Sequence, residues 1–502
     1  MQSKNIFPAL LLTLLLSSCG EDFLNKTDPT RLVEGSFYQT ETQINQAVNG
    51  VYSQLQDIIR NQWQYNEFIT DNTTLHFNIG DRGQGPSLEA LEFWQINPST
   101  GNINSLYNSY YQALANINTT LSKLEGAPFD ENVIKEYEGQ LKFLRAYYYF
   151  NLVQYFGEVI IVTTPLETPS EAWEYERQPV ETVYELVVSD LNMAIGALPP
   201  SYDETETGRV TQGAALALLG KVQLTRKQYS EAVTTLKKIL PLGYGLLGSY
   251  ADVFDPAKKN HKESIFDVQF QGDNDLGEWS NFIYTFAPRE SEGAVINFPG
   301  QNGGGWNIPS LDIIADYEAG DLRKDVSLKE GYTNLEGDWV PVPFINKYNH
   351  PHAIRGRTND NWPVIRYADV LLMLAEAINE ASGPTTEAAG YLNEVRLRAN
   401  LDPLNGLGND AFREAVLHER RIELAFENHR WFDLKRTQTP QELAAFMNAY
   451  GKREKSNPTT TRGGIPYSEA DFVFEPYEVL FPIPANQRLI NPELTQNDGY
   501  TN

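Results

Sequence analysis

Seven of the eight tryptophans lie outside the strongly helical stretches, and several have Asn, Asp, Gly or Pro as neighbours. That composition has a chemistry. Sugar rings present an apolar face and a rim of hydroxyls, so a site for them needs a flat aromatic with carboxylate, amide or guanidinium groups at its edge. Trp94 with Asn97 has this make-up, as does Trp306 with Asn302 and Asn307 after the run Gly303-Gly304-Gly305. The same residues also suit an indole that plugs a loop onto the core, so only two or three of the seven are expected to meet ligand.

Other chemistries fare worse. His418-Glu419 begins like a zinc-protease helix, but Ile422 stands where the second His is required. His350-Pro351-His352 could touch a metal, although a lone pair of this kind on a loop is usually just exposed. There is no Gly-x-Ser-x-Gly elbow, and the glycine run lacks the Lys-Ser/Thr of a phosphate loop. A glycosidase carboxylate pair stays open among 66 acidic residues, because its spacing is a three-dimensional fact. No catalytic residue, cofactor or metal is expected.

A formal charge of -26 argues against phosphate backbones and anionic lipid surfaces, and makes a neutral ligand the best fit. With 27 Tyr and 24 Phe the chain has ample material for a folded core.

The elements that must position these loops are mostly helical. Ile44, Val48, Val51, Tyr52, Leu55 and Ile59 keep a helical period, closed by Asp57, Arg60 and Asn61. From 62 to 101 the period fails, and this loop carries Trp63, Asp71, Asn72, His76, Asp81, Arg82 and Trp94. A loop this long is more often functional than not. Helices are predicted from Ile103 to Leu124, Val133 to Phe156 and Val183 to Leu198. The stripe Tyr137, Leu141, Leu144, Tyr148, Leu152 and Tyr155 is flanked by further aromatics, so that helix should be buried on several sides.

Leu216-x2-Leu219-Gly220, Tyr229 and Ala232-x3-Leu236 follow the tetratricopeptide pattern, with small residues where paired helices approach. A second pair runs through Tyr367, Leu371, Leu374 and Ile378 to Ala388-x3-Leu392. Between them, residues 243–363 are rich in Gly, Pro, Asn and Asp, with short strands predicted at Ser264–Phe270 and Phe282–Phe286. The tail from Val479 to Asn491 holds Pro482 and Pro484, whose spacing speaks against a helix.

At the front, Lys4 precedes an 11-residue apolar run, Ile6 to Leu16, too short to span a bilayer but right for a signal peptide. Leu16-Ser17-Ser18-Cys19 matches the bacterial lipobox, and Cys19, the only cysteine, is the expected lipidation site. That excludes disulfides and thiol catalysis, and tethers the protein without spanning the membrane.

The stretch His418 to Arg436 crowds Glu419, Arg420, Arg421, Glu423, Glu427 and Arg430 among Ile422, Ala425, Phe426, Trp431, Phe432 and Leu434. One reading is a network in which the three glutamates face Arg420, Arg421 and Arg430 one turn away; the other is a solvated charged face. The run resembles the C-terminal signature of the SusD/RagB family, surface lipoproteins that bind nutrients beside a TonB-dependent outer-membrane transporter. The lipobox, the acidic Gly20-Glu21-Asp22, the helical pairs and the tail occur in that family's order.

The resemblance implies a mainly α, tetratricopeptide-like scaffold with long irregular loops and a loop-rich insertion with a few short strands. The expected division is 1–18 signal peptide, 19–35 lipidated tether, 36–242 N-terminal helical region with binding loop 62–101, 243–363 insertion, and 364–502 C-terminal helical region, all in one compact unit. It implies a non-catalytic, outer-membrane, cell-surface protein that captures oligo- or polysaccharide and hands it to a SusC-like TonB-dependent transporter. Peptide capture, as in RagB-like proteins, and a surface glycoside hydrolase are the alternatives. By position, Trp63, Asp71, Asn72, His76, Arg82 and Trp94 fall in the first binding region that the resemblance implies, and Tyr284 and Trp306 in the second.

Overall fold

The computed structural model describes residues 37–77 and 85–501. Cys19, the leader and Arg82 therefore lie outside the described residues. Val48–Asn502 forms one compact unit, and residues up to Ala47 belong to a separate N-terminal one. Among the described residues no helix is long and apolar enough to cross a membrane.

The longer helices are α1 (Glu41–Asn66), α2 (Gly85–Glu92), α3 (Gly101–Leu124), α4 (Glu131–Phe156), α5 (Val180–Ala197), α6 (Gln212–Thr225), α7 (Tyr229–Leu236), α8 (Tyr367–Ser382), α9 (Thr386–Arg398), α10 (Asn409–Glu423), α11 (Arg430–Thr437) and α12 (Pro440–Ser456). Asp130 caps α4 by accepting the Asn132 N–H, and Gly157, at φ 70°, ends it. The aromatic stripe is buried as its width requires, with Tyr148, Tyr149, Tyr155 and Phe156 fully enclosed. Arg145 is buried within α4 because Asp190 of α5 receives two of its N–H groups, at 2.7 and 2.9 Å.

Helices α3 to α7 pack in sequence, and α7 then packs on α8, which also holds α9 and α10. The two tetratricopeptide-like pairs are therefore neighbours despite the insertion between them. A Cβ on Gly220 would lie 2.3 Å from Leu236, so the glycine is what lets α6 and α7 approach. The insertion is closed at its base where Ser264–Val268 pairs antiparallel with Trp362–Arg366, the strand that leads into α8.

Four local expectations are corrected. Helix α1 continues through Trp63 to Asn66, and α2 forms inside the stretch expected to be irregular. Phe282–Phe286 is a short helix, with Phe282, Ile283 and Phe286 turned into the core, where a strand was expected. In the tail, Pro482 and Pro484 are extended, but Ala485–Ile490 is helical, since a proline just before the first turn needs no N–H. The charged stretch is not one helix: it breaks between α10 and α11, where Phe426 and Asn428 take φ values of 64° and 70°. The break is held from outside, since the Ala425 and Phe426 carbonyls accept from Lys347 and Tyr348, and Glu67 accepts the Asn428 N–H.

The three glutamates of that stretch are buried and paired, but not with Arg420, Arg421 and Arg430. Glu419 receives Arg323 at 2.5 Å and Arg396 at 2.9 Å. Glu423 is shared by Arg323, Arg366 and Arg398, and Glu427 by Lys347 and Arg366. Arg420 meets Asp369 and Asp433. The partners come from the insertion and from α8, α9 and α11, so the network joins parts far apart in the chain.

Removing one member leaves its partners charged in a dry interior. Glu423→Ala is expected to cost about 3–5 kcal/mol in chemical denaturation, far more than a surface pair would. The network also sets a pH profile. Burial opposes ionisation of Glu423 and Asp433, but the surrounding arginines outweigh it and hold both carboxyls well below their usual range. Such groups add stability above about pH 4 that is lost as pH falls toward their folded values. Glu67 and Glu92 are instead pushed up to about 7 by burial, so their contribution is lost as pH rises from about 4 through 7. The thermal-unfolding midpoint should therefore be highest near about pH 4 to 5, and a midpoint that stays flat all the way from neutral pH to strong acid would contradict this assignment.

Candidate functional site

The residues singled out by sequence separate into two groups. Trp63 and Trp94 are each only 3% exposed. The Trp63 indole packs edge-on against Phe68 and Phe286. Trp94 sits among Tyr450, Phe472 and Phe474 and donates its Nε1–H to the Ile69 carbonyl at 3.0 Å. Both are core plugs, because their apolar area is buried holding α1 and the stretch after α2 to the core. Asn97, the expected partner of Trp94, accepts the Ser99 N–H in a turn.

Asp71 and Asn72 are also buried. Arg430 grips Asp71 through two N–H groups, at 2.8 and 2.9 Å, and Arg421 approaches it to 2.8 Å. Burial opposes the charge on Asp71, but the two arginines hold its carboxyl down to about 2. Asn72 accepts from Arg421 and donates to Glu67. These two side chains tie the first loop to α10 and α11, and neither is placed to direct a ligand.

His76, Tyr284 and Trp306 form the second group, and the backbone brings them together. Thr73–Thr74 pairs antiparallel with Ile308–Pro309, which lays the first loop against the insertion. The His76 N–H then donates to the Gly305 carbonyl, while the Gly304, Gly305 and Trp306 N–H groups donate to the carbonyls of Tyr284, Ala287 and Thr285. The glycine run is needed for this threading. A Cβ on Gly303 would lie 2.0 Å from the Ala287 carbonyl oxygen, and one on Gly304 would strike the Trp306 ring at 2.3 Å. Gly305 takes φ +62° with His76 and Arg289 beside it.

Trp306 is half-buried, with the Arg289 guanidinium 4.1 Å from its ring centroid. Arg289 is fixed in turn by the Gly304 carbonyl, which accepts its Nε–H at 2.8 Å. Burial and the Arg289 charge push His76 below its ordinary value, so its imidazole is neutral. Among the described residues the His76 Nδ1 has no hydrogen-bond partner. The Tyr284 hydroxyl lies 2.7 Å from His352 Nε2. Because the His350 carbonyl accepts from His352 Nδ1, Nε2 is the acceptor and the tyrosine donates. Phe298 packs at 5.0 Å on the same imidazole, and Arg355 donates to Gln301 at 2.6 Å.

The cluster is thus a half-exposed rim of indole, phenol and imidazole rings with amide and guanidinium groups beside them. Arg289, Phe298, Gln301, His352 and Arg355 were not reached by sequence reasoning. His352 had been weighed only as a metal ligand, and among the described residues no group of three or more His, Cys, Asp or Glu could hold a metal ion.

Comparison with known proteins adds an independent line. Residues 329–500 match the model of the SusD family, and residues 22–224 match a second, described as starch-binding and associating with the outer membrane. A SusD-like protein of Formosa agariphila is 28% identical over 478 residues, covering 88% of this chain and 91% of that protein. A SusD-like protein of Bacteroides ovatus is 22% identical over 569 residues, covering 99% and 98%. Among solved structures, a laminarin-binding SusD-like protein superposes with a TM-score of 0.76 at 26% identity, covering 92% of this chain and 100% of that one. A SusD superfamily protein of Parabacteroides distasonis gives 0.75 at 25% identity, covering 94% and 100%.

The split between plugs and rim is measurable. Trp94→Ala removes a buried indole and is expected to destabilise the fold by about 3–5 kcal/mol in denaturant titration. A loss below about 1 kcal/mol would show that Trp94 is not a core residue.

Proposed function

This chain belongs to the SusD/RagB family, and from that premise we propose that it is a non-catalytic glycan-capture protein whose ligand lies on the Trp306–Tyr284 rim. The observation that carries the reading is Trp306 itself: a half-exposed indole clamped by Arg289 at 4.1 Å, with phenol, imidazole and amide groups around it. An aromatic face takes the apolar side of a sugar ring, while Tyr284, His352, Gln301 and Arg355 offer the donors and acceptors that its hydroxyls require.

The glycine threading and the guanidinium clamp fix the ring before ligand arrives, so little order is lost on binding. The strongly acidic composition favours a neutral glycan over an acidic one. The laminarin-binding neighbour supports a carbohydrate ligand, although it binds its own glycan with its own residues. The protein would act at the cell surface, tethered at Cys19 to the outer membrane, and pass its ligand to a SusC-like TonB-dependent transporter. The family description of outer-membrane association supports that setting.

Affinity electrophoresis through gels containing laminarin, starch, other neutral polysaccharides and acidic polysaccharides tests the reading. Retardation is expected in at least one neutral gel. Trp306→Ala should weaken it by about 2 kcal/mol, roughly thirtyfold, with the melting temperature preserved. Unaltered retardation in that variant would remove the rim as the site. Binding of peptides in place of every polysaccharide would replace the glycan reading with the peptide one, and release of reducing sugar would make the protein a hydrolase.

A further inference from the structure

Outside this rim the insertion carries another indole, on a hairpin. Tyr332–Thr333 pairs antiparallel with Trp339–Val340, Thr333 opposite Trp339 and Tyr332 opposite Val340. The turn between them is closed by reciprocal bonds of Asn334 and Asp338 and by Gly337 at φ 93°. Alternation along the strands puts Tyr332 and Trp339 on opposite faces. Tyr332 is buried, and its hydroxyl reaches the Glu290 carbonyl, one residue from the Arg289 that clamps Trp306. The hairpin is thus fastened to the same loop that holds the rim.

Trp339 is 60% exposed. Its ring lies over a glycine: a Cβ on Gly331 would sit 2.5 Å from the Trp339 six-membered ring, so any other residue there would push the indole away. The indole is therefore supported from behind by bare backbone and open in front. Exposed Thr333 faces it across the strands, and Glu336 and Asp338 are exposed in the turn that joins them. A large aromatic left in water at a hairpin, with a glycine beneath it, contributes little to the core and is arranged as a flat apolar surface with polar groups at its edge.

We propose that Trp339 is an outer stacking platform for further sugar units of the glycan held at the Trp306–Tyr284 rim, which makes the protein a reader of long chains. The proposal rests on the glycan reading of the rim. The exposed carboxylates of the same hairpin, Glu336 and Asp338, suit neutral sugars, which donate hydroxyl hydrogen bonds, and disfavour acidic ones.

The test compares the polysaccharide that retards the native protein most strongly in the gel panel with short oligosaccharides cut from it, the latter measured by calorimetry. Trp339→Ala should weaken polysaccharide binding roughly two- to tenfold, the size of one aromatic stacking contact, and leave the short oligosaccharides unchanged. Trp339→Phe should keep most of the affinity, and Trp306→Ala should weaken both ligands alike, roughly thirtyfold. Polysaccharide binding unchanged in Trp339→Ala, or an equal loss for both ligand lengths, overturns the platform while leaving the rim intact. A native protein retarded by no polysaccharide overturns the rim and the platform together.

Discussion

Glu423 is the point on which the rest of the structure depends. Three guanidinium groups converge on its carboxylate, from Arg323 in the insertion, Arg366 at the entry to α8 and Arg398 at the end of α9. Each ion alone would cost several kcal/mol to desolvate, and a buried pair repays that only when its geometry is complete. Here it is nearly complete: Arg366 also reaches Glu263 and Glu427, and Arg323 also reaches Asp321 and Glu419. A network of this kind tolerates few alternative arrangements, so it specifies how the insertion sits on the helices more sharply than apolar packing would.

The consequence travels toward the rim through backbone. Asp71 is gripped by Arg421 and Arg430, from the same C-terminal stretch, and that grip sets the loop that follows α1. Two residues on, Thr73–Thr74 pairs with Ile308–Pro309, and His76 meets Gly305. The two loops that meet at the proposed rim, more than two hundred residues apart, are thereby held by buried ion pairs. The side chains that position these loops are thus different from those proposed to meet ligand.

The tryptophans show the same division. Trp63, Trp94, Trp362 and Trp431 are enclosed and hold loops or helices to the core, while Trp306 is half-buried and Trp339 largely exposed. What separates them is the neighbour that backs the ring. Among these six, aromatic side chains pack against the enclosed rings, whereas glycine backbone lies beside the other two, Gly304 at Trp306 and Gly331 at Trp339.

The helical scaffold was legible in the chain because periodicity is local: the stripe of α4 and the small residues at Gly220 and Ala232 follow from 3.6-residue spacing and close packing. The burial of the charges in His418–Arg436 was legible only in part: their density beside Phe426 and Trp431 left a buried network and a solvated face both open, and the family resemblance favoured the first. Their partners were not, since spacing offers only neighbours on the same helix, and the fold supplied Arg323, Arg366, Arg396 and Arg398 from elsewhere. Composition likewise marked Trp94 and Trp306 as equals. Only the tertiary structure told them apart, because whether an indole is enclosed depends on which distant residues, Phe472 and Phe474 in one case and Arg289 in the other, arrive beside it.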